Sequence, residues 1–234
     1  MNRSLPAVPL IACAKGIERG SHRLMSEVLA EALPEAEAYV LSGPSFAGDV
    51  ARNLPTAVTI AGPSLDDAAR LAEALSVPSF RIYASDDITG VQLGGAVKNV
   101  LAIACGISDG RGLGDSARAA LTTRAFAELA RFGRAMGARP ETLTGLSGLG
   151  DLILTCASRQ SRNFAYGIAL GERSQPPAGT VEGVPTAGVV SDMAAALGVD
   201  MPICAAVRRI VEGRSEIDDE LDRLLSRPLK PEID

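Results

Sequence analysis

Histidine is almost missing from this chain: His22 is the only one in 234 residues. A His-x-x-x-His zinc site cannot be built, and no metal ligand set is expected. A Ser-His-Asp or Cys-His nucleophile would have to use His22, which lies in a polar stretch leading into a helix. Any enzyme built on this chain must move protons with another side chain. Cysteine is sparse too. Cys13, Cys105, Cys156 and Cys204 stand far apart in apolar surroundings without Cys-x-x-Cys spacing, and read as free, buried thiols. Basic charge is limited, with 23 Lys and Arg against 28 Asp and Glu for a net charge of −5. No broad nucleic-acid surface follows, so an anionic ligand must meet locally placed charge. The longest apolar run in a helical segment, Val97 to Ile107, is broken by Lys98 and Asn99 and reads as too short and too polar to span a bilayer. Met1 to Pro6 lead directly into a strand-like segment, without a charged region followed by an apolar one, so the chain reads as cytoplasmic.

One further absence concerns a motif. A nucleotide-binding α/β domain opens with strand, Gly-x-Gly-x-x-Gly and helix. No such glycine pattern follows any strand here, and Gly145 to Gly150 lies in the wrong context. The chain reads as starting late, as if one mononucleotide-binding half were removed.

What is present supports a folded core, with 47% hydrophobic residues. Up to about residue 85, short β-rich runs (Leu10 to Cys13, Ala38 to Leu41, Ala57 to Ile60, Phe80 to Tyr83) alternate with helical patterns at 22–32, 45–52 and 65–76. That rhythm predicts βα units on an open sheet. Beyond Ser85 the 3.6-residue period takes over, with helices expected at 86–108, 116–136, 147–156, 161–171, 185–197, 203–212 and 216–225. Asp86 and Asp87 suit a helix start, and Gly137 and Gly198 suit helix ends. The fold class is therefore α/β followed by all-α. A domain boundary is expected near residue 85, with an all-helical domain after it.

Several residues could carry chemistry. Lys15 follows a strand and precedes Gly16, the place where open α/β sheets hold ligands. Gly43 permits a turn after the next strand, and Ser45 is placed to cap the following helix. Lys98 is the most informative. Its helical neighbours Gly94, Gly95, Leu101 and Ala102 cannot neutralise it, so it either snorkels to solvent or sits desolvated, with the lowered proton affinity of a general acid or base. Gly94 and Gly95 leave room beside it for a ligand or a backbone. Asp151 opens an apolar helix, and could equally position a substrate hydroxyl or pair with a buried lysine. Ser161, Arg162 and Asn163 begin another helix, an arrangement suited to a phosphate and equally to a plain solvated cap. Glu182 lies in a loop whose local sequence points to no ligand.

In order and nearly end to end, these segments resemble bacterial NAD(P)-dependent glycerol-3-phosphate dehydrogenase. The matching stretches are Cys13-Ala14-Lys15-Gly16-Ile17-Glu18, Ser42-Gly43-Pro44-Ser45-Phe46-Ala47 and Gly94-Gly95-Ala96-Val97-Lys98-Asn99-Val100. Later come Gly148-Leu149-Gly150-Asp151-Leu152 through Thr155-Cys156, Ser161-Arg162-Asn163, Val181-Glu182-Gly183-Val184 and Ser226-Arg227-Pro228-Leu229-Lys230. The resemblance implies part of a Rossmann-type NAD(P)-binding domain over residues 1–85, an all-helical substrate domain over 86–234, and Lys98 as the proton-transferring residue. It implies that Lys15, Gly43, Ser45, Lys98, Asp151, Ser161, Arg162 and Asn163 hold glycerol 3-phosphate or dihydroxyacetone phosphate. Lys15, Ala47, Arg162 and Glu182 would contact the cofactor, NAD or NADP. No nucleic acid or membrane partner is implied, and a homodimer is left open. Members of that family open with the glycine loop absent here, about 60–90 residues of a βαβαβ half. The sequence then reads as a shortened reading frame or a separate chain that does not work alone, and little activity is expected of it by itself. Two rival readings stand beside this one: a hydroxy-acid dehydrogenase on the same domain plan, and an inactive remnant serving as a helical association module.

Overall fold

The computed structural model describes residues 8–229. Met1 to Pro6, and the Lys230 that ends the last matching stretch, lie outside the described residues. The first half alternates as the sequence pattern predicts: β1 (Leu10–Ala12), α1 (Met25–Ala32), β2 (Ala38–Ser42), α2 (Ala47–Ala51), β3 (Thr56–Ala61), α3 (Leu65–Leu75) and β4 (Phe80–Ser85). The strands form one sheet in the order β1-β2-β3-β4. β1 and β2 are parallel, as are β3 and β4, but β2 and β3 run antiparallel with Val40 opposite Ala61. The α2 connection therefore reverses the chain and is not a βαβ crossover.

The remaining described residues contain no strand. They form α4 (Ile88–Gly110), α5 (Asp115–Ala135), α6 (Pro140–Thr144), a π-helical turn (Leu146–Gly150), α7 (Asp151–Cys156), α8 (Arg162–Glu172), α9 (Gly183–Ala196), α10 (Pro202–Val211) and α11 (Ile217–Leu225). The sequence pattern missed α6 and merged the π turn with α7. Asp87 caps α4 by accepting a hydrogen bond from the Gly90 amide at 2.8 Å. Gly137 and Gly198 follow α5 and α9 with φ of +83° and +67°, the left-handed exit that glycine adopts without strain.

Helix α4 organises the molecule. It is apolar on every side, as a helix with no solvent face must be. Its 23 residues are long and apolar enough to cross a membrane by length and composition, which corrects the reading of its central run as too short. Here 94% of its most apolar 18-residue window is buried within the protein. Toward the sheet, Val91 packs with Val40 and Ala61. Toward the helices, Val97, Leu101 and Ile103 join a core that includes Phe132, Leu152 and Phe164. α4 and α8 approach backbone to backbone, since a methyl added at Gly106 would stand 2.1 Å from the Phe164 carbonyl oxygen. Cys105, Cys156 and Cys204 are buried and free as expected, but Cys13 is exposed at the end of the short β1.

One buried acid belongs to this scaffold. Glu128 on α5 is 1% exposed and takes hydrogen bonds from the Ile203 and Cys204 amides at 2.6 and 3.1 Å, the free N–H groups that begin α10. Burial pushes its carboxyl up to about 7, against the opposing pull of those amides. The folded state then holds a proton that the unfolded chain has released, so this group's contribution to stability falls as pH rises from about 4.5 to 7. A displacement from 4.5 to about 7 corresponds to a loss of up to about 3 kcal/mol. Thermal melts between pH 4.5 and 7.5 are expected to show this decline in the parent protein. The decline is expected to be flatter in Glu128→Gln, whose amide does not titrate. Identical slopes would show that Glu128 is ionised throughout.

Candidate active site

The site lies where the carboxyl ends of β1 and β2 meet α4 and α7. Lys15 follows β1 by three residues. Its ammonium group donates to the Gly43 carbonyl oxygen at 3.0 Å and to Asp151 Oδ2 at 2.7 Å. Gly43, just past β2, has φ +152°, and a methyl there would stand 2.8 Å from the Val58 Cα, so both conformation and space require glycine. Lys98, in the middle of α4, donates to Asp151 Oδ1 and to the Thr155 hydroxyl, each at 2.7 Å. The two oxygens of one carboxylate thus each take a lysine. Side-chain exposure is 8% for Lys98, 2% for Asp151 and 23% for Lys15, so the group runs from the interior toward solvent.

Lys98 therefore does not snorkel. Its counter-charge comes from α7, 53 residues away, which no inspection of its own helix could reveal. The space beside Gly94 and Gly95 is filled by protein. A methyl at Gly94 would meet the Ser147 carbonyl oxygen at 2.4 Å, and one at Gly95 would meet Ser42 Oγ at 2.6 Å and the Lys15 Cγ at 3.3 Å. These glycines let the π turn and the Lys15 stem press against α4. Burial lowers the Lys98 ammonium to about 8. Asp151 opposes that shift, and the like charge of Lys15 adds to it. A lysine near 8 has substantial populations of both forms near neutral pH, as proton transfer to and from a substrate oxygen requires. With Lys98 protonated, two cations face one anion, and the surplus positive charge suits an anionic substrate.

The other sequence candidates fall around this centre. Ser161 caps α8, its hydroxyl accepting from the Phe164 amide at 3.2 Å. Asn163 is buried and committed at both ends: its amide nitrogen donates to Asn99 Oδ1 at 3.0 Å, and its oxygen accepts from the Gly183 amide at 2.8 Å. Arg162 is exposed and paired with Glu182 at 2.5 Å. Ser45 does not cap α2, contrary to expectation. The helix begins one residue later than a Ser45 cap requires, with Phe46 in the cap position, and the Ser45 hydroxyl donates to the Gly43 carbonyl oxygen at 3.2 Å. Ala47 opens α2 and is exposed. The next residue, Gly48, lies near Gln160, whose Oε1 would stand 4.0 Å from an added methyl. Lys15, Lys98 and Asp151 form the centre of the site, to which Asn163 is joined through Asn99. Ala47 and the Arg162–Glu182 ion pair lie outside this hydrogen-bonded group.

Sequence reasoning overlooked three participants. Thr155 lies four residues beyond Asp151, on the same helical face, a spacing that could have identified it. Asn99 donates to the Lys15 carbonyl oxygen at 3.4 Å and so ties α4 to the segment after β1. Ser42 Oγ is, among the described residues, the buried side-chain polar atom without a hydrogen-bond partner. A compositional signal was also available: the sequence holds only three lysines, and two of them meet at Asp151.

Two family models match the chain, the NAD-dependent glycerol-3-phosphate dehydrogenase N-terminus over residues 2–68 and its C-terminus over residues 87–222. A protein of a Bradyrhizobium species named glycerol-3-phosphate dehydrogenase [NAD(P)+] is 61% identical over 228 residues, covering 97% of this chain and 70% of that protein. One of the same name from Methylobacterium radiotolerans is 58% identical over 233 residues, again covering 97% and 70%. The crystal structure of glycerol-3-phosphate dehydrogenase from Coxiella burnetii is similar with a TM-score of 0.87 and 43% identity, over 93% of this chain and 68% of that one.

Proposed function

We propose, from the premise that the chain belongs to the NAD-dependent glycerol-3-phosphate dehydrogenase family, that Lys98 moves the proton in its reaction. The protein is an NAD(P)-dependent oxidoreductase that interconverts sn-glycerol 3-phosphate and dihydroxyacetone phosphate, supplying the former for phospholipid synthesis. The cofactor, when bound, supplies or accepts the hydride. In oxidation, neutral Lys98 takes the proton of the secondary hydroxyl. In reduction, its ammonium form polarises the carbonyl of dihydroxyacetone phosphate and delivers that proton to the oxygen. Asp151 and Thr155 fix the Nζ position. Lys15, Gly43, Ser45 and the 161–163 segment hold the substrate, with Arg162 on the phosphate. Ala47, Arg162 and Glu182 contact the cofactor in this reading. Residues up to 85 form the cofactor domain and those from 86 the substrate domain. Placement in the cytoplasm is part of the same reading.

The observation that carries this reading is a buried lysine, lowered to about 8, held on a carboxylate beside a second cation. The test compares substrates in protein that includes a Gly-x-Gly-x-x-Gly loop ahead of this chain. Reduction of dihydroxyacetone phosphate is expected to exceed that of small 2- and 3-keto acids by at least about 10²-fold in kcat/KM, since a site built for a phosphate discriminates against ligands that leave it unpaired. Comparable rates would favour a hydroxy-acid dehydrogenase.

A further inference from the structure

We propose that Lys15 governs how readily Lys98 gives up and regains its proton, by claiming the second oxygen of the one carboxylate that both lysines share. Counting charge makes the case. Asp151 is buried, with Lys98 on Oδ1 and Lys15 on Oδ2, each at 2.7 Å. When Lys98 is neutral, Asp151 and Lys15 still form a balanced pair. When Lys98 is protonated, the group carries one surplus positive charge. Without Lys15 the balance inverts: protonated Lys98 would be the matched partner of Asp151, and neutral Lys98 would strand a buried, uncompensated carboxylate. Stranding such a charge is strongly unfavourable, so the proton would be held on Lys98 more tightly.

The surroundings leave this role to Lys15. Among the described residues, the charged or titratable groups facing Lys98 are Asp151 and Cys156 from α7 and Lys15 from the segment after β1. Its own helix contributes none at neighbouring turns, where Gly94, Gly95, Leu101 and Ala102 stand. Lys15 is held in place independently of Lys98, by the Gly43 carbonyl oxygen at 3.0 Å and through the Asn99 amide on its backbone. It can therefore stay on Oδ2 while Lys98 cycles between its two forms. Lys15 acts through Asp151 as a positioning residue, in addition to the substrate and cofactor contacts assigned to it above.

The test reads Lys98 directly. With three lysines in the sequence, ¹³Cε-lysine labelling of the 234-residue protein gives three signals, and Lys98→Met identifies one of them. In the parent protein the Lys98 signal is expected to titrate near 8. In Lys15→Met its midpoint is expected to rise by about one unit or more, the usual effect of removing a like charge at this range. Lys15→Gln, which keeps a donor for Gly43 and Asp151 without the charge, is expected to do the same and serves if the Met variant does not fold. Lys15→Arg, retaining the charge, is expected to leave the midpoint within a few tenths of a unit. An unmoved midpoint in the folded Met or Gln variant overturns the proposal. The titration needs no turnover, so it is separable from the dehydrogenase reading on which the role in catalysis rests. A shifted midpoint, with no turnover of dihydroxyacetone phosphate by protein that also includes the glycine-rich loop, sinks that reading and leaves the coupling standing. Robust turnover by that protein with an unmoved midpoint does the reverse.

Discussion

Replacing Lys98 with Met is expected to lower turnover by about 10²–10⁴-fold, the span usual for a positioned general acid or base. Methionine keeps roughly the same volume in the α4 core but cannot bear a proton. Asp151 retains Lys15 on Oδ2, so the carboxylate is not left without a cation. Cofactor affinity is expected to change little. The measurement is the steady-state rate of NADH or NADPH oxidation with dihydroxyacetone phosphate, in protein that includes the glycine-rich loop. The parent enzyme adds a pH signature. Because burial lowers Lys98 to about 8, glycerol 3-phosphate oxidation needs the neutral form and rises with pH through that value. Reduction needs the ammonium form and falls through it. A loss below tenfold, with the pH dependence intact, would reduce Lys98 to a structural partner of Asp151.

Arg162→Ala is expected to reduce kcat/KM for dihydroxyacetone phosphate by roughly 30- to 160-fold, equivalent to about 2–3 kcal/mol for a lost charge-assisted contact. Arg162 is exposed, and Glu182 holds its guanidinium at 2.5 Å at the start of α8. A phosphate dianion must share that guanidinium with Glu182, and the forked donor geometry allows both. The control is dihydroxyacetone, the same substrate without its phosphate, whose weak turnover is expected to be nearly unchanged by the substitution. Equal damage to both substrates would assign Arg162 to the cofactor or the fold. The phosphate assignment of the 161–163 segment would then be withdrawn.

These two residues differ in how well the sequence announced them. Lys98 is conspicuous because its neighbours three and four residues away cannot neutralise it, which leaves it to snorkel or to sit desolvated, and its burial on Asp151 decides between the two. Arg162 is conspicuous only as part of a helix start, and many helix starts look alike. Its partner Glu182 sits in a loop whose local sequence carries no sign of the pairing, because the chain between them, a separation of 20 positions, runs through a whole helix and returns. Asp151 could be read from sequence as a cap, a substrate ligand or a lysine partner. The fold assigns it two lysines at once.

The elements show the same division. Amphipathic period, Asp87 as a cap and the glycines after α5 and α9 are consequences of hydrogen bonds and side-chain spacing within a few residues, so they are written locally. The short helix α6 carries too few residues to display a period and is missed for that reason, and the π turn, equally short, merges with α7 in the sequence pattern. The antiparallel pairing of β2 with β3 is likewise invisible locally, since a strand's own residues do not encode the direction of its neighbour.

By itself, the sequence determined the change from α/β to all-α near residue 85 and the presence within α4 of a lysine that its own helix cannot neutralise. The tertiary structure alone decided that Lys15 and Lys98, 83 positions apart, would divide the two oxygens of Asp151. The physical reason is one of range. Helix period and capping arise between groups a few residues apart, whereas the state of a buried ammonium depends on every charge within a few ångströms, wherever along the chain those charges originate.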